Sequence, residues 1–240
     1  QEMLARRRIR RVLVICPASL QQQWKDEMEE KFQLDFHIID RDSMQQLRRE
    51  YGMHVNPWAS FPRLITSMDF IKREQPLRLF QESLQIVDAP LRDWDLLVVD
   101  EAHNVAPSGR GTYAVSSDRT RMMRSIADHF EHRLFLTATP HNGFTESFTA
   151  LLEMLDPLRF SRGPVVDQEQ VRLVMVRRLK DTIKDSLGER RFAERSVQAL
   201  EIQLASREAE MHDLLNAYTA SRLERVDWAR SLPVRFSLTM

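Results

Sequence analysis

The chain has 240 residues, with 35 Lys plus Arg against 35 Asp plus Glu and a formal net charge of zero. That length suits one large domain or a domain with an appendage, and the even charge leaves any case for nucleic acid to local charge. The lone cysteine, Cys16, excludes an internal disulfide and a cysteine zinc site and fits a reducing cytosol.

No apolar stretch approaches the ~20 residues that span a bilayer. The basic start QEMLARRRIRR lacks the apolar core of a signal peptide. These features predict a soluble cytoplasmic protein with no membrane partner. Arg6 to Arg8 with Arg10 and Arg11 form the densest basic run, read as a cationic helix end.

Five short apolar runs predict strands: Val12 to Ile15, Phe36 to Ile39, Leu64 to Thr66, Leu96 to Val99 and Leu134 to Leu136. Cys16 follows the first run and reads as a small buried hydrophobe. Leu20, Trp24, Met28 and Phe32 then recur at helical spacing, with Ser19 and Gln22 as a capping box at the start. Strands alternating with such helices predict right-handed crossovers and a parallel α/β sheet.

The fourth run ends in two carboxylates, at LLVVDEAHN. Four apolar residues in a row suit a strand buried on both faces, and ligands of open α/β sheets bind beyond the carboxyl ends of such strands. There Asp100 could hold Mg²⁺ and Glu101 could orient an attacking water. Pro107 to Asp118 reads as a loop. The fifth run ends at LFLTATPHNG, where Thr137 and Thr139 carry hydroxyls at what is expected to be a second buried strand end. The expected geometry is two adjacent inner strands whose tips bring Asp100, Glu101, Thr137 and Thr139 around one hollow.

Phe144, Phe148, Leu151, Leu152 and Leu155 predict a further amphipathic helix, ended by Asp156-Pro157. Ser161 to Pro164 reads as a boundary. Beyond it come VRLVMVRRLKDTI, a turn at Gly188, a strand suggested by Leu200, Ile202 and Leu204, and a long helix capped by Ser206. That helix carries Met211, Leu214, Leu215 and Tyr218. Trp228, Leu232 and Phe236 near the end read as exposed apolar residues lacking a partner.

Taken together, five segments resemble the SWI/SNF-type ATPases of helicase superfamily two, more closely their bacterial and archaeal members. RRVLVICPASLQQQW is similar to motif Ia, RLITSMDF to motif Ib, VVDEAHN to motif II and LTATPHNG to motif III. VMVRRLKD resembles the Arg-Arg-x-Lys signature that follows the first lobe. The resemblance implies a RecA-like parallel sheet flanked by helices, lacking its P-loop strand, with a C-terminal helical brace. It divides the chain into a first RecA-like lobe (1–160), a linker or protrusion (161–205) and a brace helix leading to a second lobe (206–240).

By position, the resemblance makes Asp100 the residue that binds Mg²⁺ through water and Glu101 the base that activates water against the γ-phosphate of ATP. It has His103 link the nucleotide site to Thr137, Ala138 and Thr139, which couple hydrolysis to DNA movement. Ser19, Thr66 and Ser67 match positions near the double-stranded DNA backbone, where small hydroxyls bond phosphate without reading bases. Arg177, Arg178 and Lys180 either touch DNA phosphates or the second lobe, or form a solvated basic face. Ala138 replaces the Gly of many eukaryotic members. This favours a prokaryotic, nucleoid-associated subgroup, such as one serving phage defence or RNA polymerase recycling, over nucleosome remodelling.

A P-loop needs G-x-x-x-x-G-K-[ST], and no Gly here is followed by Lys. The resemblance places that motif one helix before motif Ia, so Gln1 to Arg8 is expected to be the tail of that helix. Without the phosphate cradle or a second lobe the 240 residues are expected to be inactive alone. The competing readings are a DEAH-class RNA helicase, the motor of a restriction enzyme, and a non-catalytic nucleic-acid-binding or protein-interaction module.

Overall fold

A computed structural model describes residues 1–85, 94–107, 117–140, 145–161, 167–179, 183–184, 191–193, 196–200 and 205–224. In chain order the elements are α1 (Glu2–Ala5), β1 (Val12–Cys16), a 3-10 turn (Ala18–Leu20), α2 (Gln21–Phe32), β2 (His37–Ile39), α3 (Arg41–Tyr51), α4 (Pro57–Ser60), β3 (Arg63–Ser67) and α5 (Met68–Ile71). There follow α6 (Glu74–Gln85), β4 (Trp94–Val99), a 3-10 turn (Ala102–Val105), α7 (Asp118–Ala127), β5 (Phe130–Phe135), α8 (Thr145–Leu155), α9 (Gln168–Val174) and α10 (Ser206–Glu224).

The five strands form one all-parallel sheet in the order β2-β3-β1-β4-β5. All five predicted strands are present, and helices cover both faces. Alternation along β1 divides the core: Leu13 and Ile15 join the larger cluster with Trp58, Phe80, Trp94 and Phe130. Val12, Val14 and Cys16 face the other way, against Trp24 and Met28 of α2. At the larger cluster's centre Phe80 packs edge-on to Trp58 at 5.4 Å and stacks near Trp94 and Phe130 at 5.8 and 6.3 Å.

The sheet's lower end is tied through Asp95. Its Oδ2 accepts the backbone N–H groups of Arg10 and Arg11 at 2.6 and 2.8 Å. The Arg11 guanidinium lies 4.0 Å over the Trp94 ring and donates to the Trp58 carbonyl. Part of the basic run is thus internal fastening, and Arg6 pairs with Glu2 on α1.

Three expectations change. β5 is an edge strand of the described sheet, not an inner one: Leu134 is 47% exposed, and only Phe130 of this strand is fully buried. Ser19 does not cap α2; it lies inside the 3-10 turn from Pro17, whose carbonyl accepts the Leu20 N–H, and Leu20 occupies the cap position without a side-chain bond. The first compact unit runs through Met175, past the expected boundary at 160, because Val171 of α9 packs with Leu152 and Phe160.

The second unit is Val176–Met240. Its helix α10 begins at Ser206, and the Ala205 N–H is bonded by the Glu208 carboxylate at 3.0 Å, so Glu208 and not Ser206 supplies the side-chain cap. Met211, Leu214, Leu215 and Tyr218 on α10 are exposed. Leu200 lies outside any strand. Ile202, Leu204, Gly188, Trp228, Leu232 and Phe236 lie outside the described residues, as does most of the loop expected from Pro107. No helix among the described residues is long and apolar enough to cross a membrane.

The two ends of β5 differ in what they carry. Replacing Phe130 with Ala opens a cavity in the aromatic cluster and should cost about 3–5 kcal/mol in urea unfolding. Leu134→Ala, at the exposed edge, should cost less than about 1 kcal/mol; equal losses would contradict this assignment of the core.

Candidate functional site

The strand order places a topological switch between β1 and β4. From β1 the chain passes to the edge strand β2 and back to β3 on one side, then crosses to β4 and β5 on the other. Open α/β sheets bind ligands in the crevice that such a switch opens at the carboxyl ends of the strands. A cavity of about 280 Å³ lies there, lined by Leu20, Gln23, Trp24, Glu27 and Met28 of the helix after β1 and by Asp100 after β4. That volume sits just below the roughly 300 Å³ at the small end of ligand pockets.

Asp100 is pinned at the tip of β4. Its N–H donates to the Ile15 carbonyl at 2.8 Å, its Oδ1 accepts the Glu101 N–H at 2.9 Å, and its Oδ2 accepts the Trp24 indole N–H at 2.9 Å. The helical stripe of Leu20, Trp24 and Met28 foretold burial, but nothing in the spacing showed that the indole would meet this carboxylate. Below it Cys16 is fully buried. Burial first, and the Asp100 charge second, push its thiol up to about 12.

Glu101 adopts the left-handed conformation, φ 48° and ψ 47°. A non-glycine residue there is strained by roughly 1–2 kcal/mol. The strain is held in place by its neighbours: the Asn104 backbone N–H and side-chain Nδ2 both donate to the Glu101 carbonyl, at 2.9 and 3.1 Å. Asn104 therefore shapes the site, a role that its position in the sequence did not signal.

A polar chain then joins β4 to β5. His103 Nδ1 lies 3.2 Å from Glu101 Oε2 and 3.1 Å from Thr137 Oγ1. Only the Thr137 contact has hydrogen-bond geometry, its donor set by the imidazole tautomer; the Glu101 carboxylate is a close electrostatic neighbour of the same nitrogen. Thr137 Oγ1 also accepts the Thr139 N–H at 3.1 Å. Beneath them the Ala102 N–H donates to the Leu136 carbonyl and the Leu136 N–H to the Val99 carbonyl.

The predicted residues thus assemble, but not around one hollow. Asp100 faces the β1–β4 crevice, while Glu101, His103 and Thr137 run along the β4–β5 side. Ala138 and Thr139 are exposed beyond them. Of the predicted DNA contacts, Ser19 is exposed at the tip of β1. Thr66 is a correction: it is fully buried and its hydroxyl donates to the Ile39 carbonyl at 2.8 Å, so it presents nothing to a phosphate. Ser67 is 5% exposed and caps α5 by accepting the Phe70 N–H. Arg177 and Arg178 are exposed in the second unit; Lys180 lies outside the described residues.

Among the described residues no cluster of three or more His, Cys, Asp or Glu is arranged to hold a metal ion. One carboxylate at a strand tip fits only a cation carried largely by water and substrate oxygens, which is how Mg²⁺ binds beside nucleotide phosphates.

This arrangement, a parallel sheet with an Asp-Glu-Ala-His tip hydrogen-bonded to a Thr-Ala-Thr strand end, is consistent with a helicase-like ATPase lobe. The SNF2-related domain model matches residues 2–230, and the chain belongs to that family. It is 37% identical over 160 residues to the RNA polymerase-associated protein RapA of Yersinia pestis (strain Pestoides F), covering 67% of this chain and 15% of that protein. It is 35% identical over 199 residues to RapA of Serratia proteamaculans (strain 568), covering 79% and 19%. The chain therefore spans less than a fifth of these relatives. Among solved structures, the Sulfolobus solfataricus SWI2/SNF2 ATPase core in complex with dsDNA aligns over 65% of this chain and 27% of that one, at 19% identity and a TM-score of 0.43.

The buried thiol gives a direct check on the β1–β4 packing. Folded protein at pH 8 should leave Cys16 unreacted toward a thiol-disulfide reagent, since the thiolate is the nucleophile. Labelling should appear only as urea unfolds the chain; fast reaction in the native state would show the crevice floor to be open.

Proposed function

We propose that this chain is part of the first motor lobe of an ATP-dependent double-stranded DNA translocase. The observation that carries the reading is the Glu101–His103–Thr137 chain across the ends of β4 and β5. It gives Glu101 a fixed geometry and links it mechanically to the strand end that follows Thr137.

In this reading Glu101 orients and deprotonates the water that attacks the γ-phosphate. Asp100 would hold Mg²⁺ through water, with the Trp24 indole fixing its carboxylate. Mg²⁺, when bound with ATP, neutralises charge on the phosphates. His103, Thr137, Ala138 and Thr139 transmit the state of the site to the DNA-facing surface. Ser19 meets the DNA backbone at the tip of β1, and Ser67 serves there through the turn it caps and not through a free hydroxyl. Arg177, Arg178 and Lys180 supply phosphate contacts or meet a second lobe.

The 240 residues contain no phosphate-cradling glycine-lysine loop, so turnover needs one supplied by residues beyond them. Among the described residues the outer edge of β5 has no strand beside it and Leu134 is exposed, which supports a further strand docking there and carrying that loop beside Glu101. The relatives' association with RNA polymerase supports a prokaryotic role in transcription, on the nucleoid.

Two measurements test the reading. In a longer protein that includes a phosphate loop and second lobe, Glu101→Gln should lower DNA-stimulated ATP turnover by at least about 10²-fold while nucleotide binding persists. Unchanged turnover would remove Glu101 as the base. The 240 residues alone should release no phosphate from ATP with duplex DNA, since an arginine finger alone is worth about 10³ to 10⁵ in rate; measurable turnover would refute the dependence on added parts.

A further inference from the structure

Ser67 closes β3 and caps α5, and two residues later Asp69 reaches from that short helix to α7. Its carboxylate is forked by Arg119, 50 residues away in sequence. Arg119 Nε lies 3.1 Å from Oδ1, and its Nη2 lies 2.8 and 2.9 Å from Oδ1 and Oδ2. Lys72 Nζ meets the same Oδ1 at 2.8 Å. Lys72 first and Arg119 second hold the Asp69 carboxyl below its ordinary range.

Stability does not account for the fork. The side chains of Arg119 and Asp69 are 34% and 50% exposed, and exposed ion pairs add little to folding. Arg119 also stands in the first turn of α7, where a cation opposes the helix dipole. What the fork does is join two elements with different duties. α5 continues directly from the β3 tip. Met122, Met123 and Ile126 of α7 are buried in one apolar cluster with Ala102 and Val105 of the 3-10 turn. That turn follows Glu101 and holds His103 and Asn104, and α7 itself leads into β5, whose end is followed by Thr137. One helix therefore stands behind both partners of the His103–Thr137 bond.

We propose that Asp69 and Arg119 form a coupling strut, which carries displacement of the β3 tip through α7 to the turn that positions Glu101 and His103. A guanidinium forked on a carboxylate fixes orientation as well as distance, so rotation of α5 reaches α7; a lysine would transmit distance alone. The left-handed backbone of Glu101 is the element such a push biases. Both residues are positioning residues that act through the turn. The proposal rests on the DNA-stimulated ATPase reading above and adds to it a route.

The test compares ATP turnover with and without saturating duplex DNA, in the longer protein that includes a phosphate loop and second lobe. Arg119→Gln and Asp69→Asn should each leave DNA-free turnover, duplex affinity and thermal unfolding at the parent's values. Each should cut the DNA-stimulated increase by about 5-fold or more, the low end of couplings between sites. The double variant should lose no more than either single one, as expected of residues acting as one unit. Lys72→Gln, which removes the local partner and spares the fork, should leave the stimulation intact. Undiminished stimulation in the folded variants, or additive losses, overturns the strut and leaves the motor reading standing. A parent protein whose turnover ignores duplex DNA overturns both. Equal loss of DNA-free and DNA-stimulated turnover overturns the strut in favour of a merely structural pair, and weakened duplex binding overturns it in favour of a direct contact.

Discussion

The geometry of the site depends on the last rungs of the ladder on either side of β4. On one side the Asp100 N–H is held by the Ile15 carbonyl; on the other the Leu136 N–H is held by Val99, and the Ala102 N–H by Leu136. Asp100 and Ala102 are thus fixed to different neighbouring strands, with one residue between them. Glu101 must turn the chain within that single step, and the left-handed region is where it does so. Asn104 and the Asp100 carboxylate bind the Glu101 backbone and offset the strain. The backbone sets the direction in which the Glu101 side chain leaves, and His103 Nδ1 lies 3.2 Å from its carboxylate.

Much of this was legible from residue order. Apolar runs marked the strands because a parallel sheet covered on both faces needs unbroken apolar stretches. The DEAH and TATP tips fell where strand ends had to fall. β5 misled because LFL is as apolar as a buried strand, yet apolarity does not say which neighbour covers it. The edge position of Leu134 follows from strand order, which no local run encodes. Ser19 misled because the pattern S-x-x-Q fits a capping box, while Pro17 had already begun a 3-10 turn. Thr66 misled because a hydroxyl at a strand end can face solvent or the next strand, and the choice depends on β2 lying alongside. The αL state of Glu101 had no local signal, since Glu has no preference for it.

The carboxyl rim of the sheet separates tasks by strand. The β1–β4 crevice presents a carboxylate bonded to an indole. The β4–β5 side carries the polar contacts of His103 with Glu101 and Thr137. The β2–β3 side carries the Asp69 carboxylate held by Lys72 and Arg119. Charged groups of both signs are therefore gathered along one edge, although the whole chain is neutral; local fields, not net charge, steer a charged partner.

The indole bonded to Asp100 makes the crevice self-reporting. Trp58 and Trp94 are sealed in the apolar core, so neither meets whatever occupies the strand tips. Trp24 is half-buried and shares its N–H with the carboxylate itself. Any cation that arrives beside Asp100 competes for the same oxygen and alters the electric field across that ring. Among the described tryptophans Trp24 is thus the one placed to gauge occupancy optically, by the folding of one helix and with no attached dye.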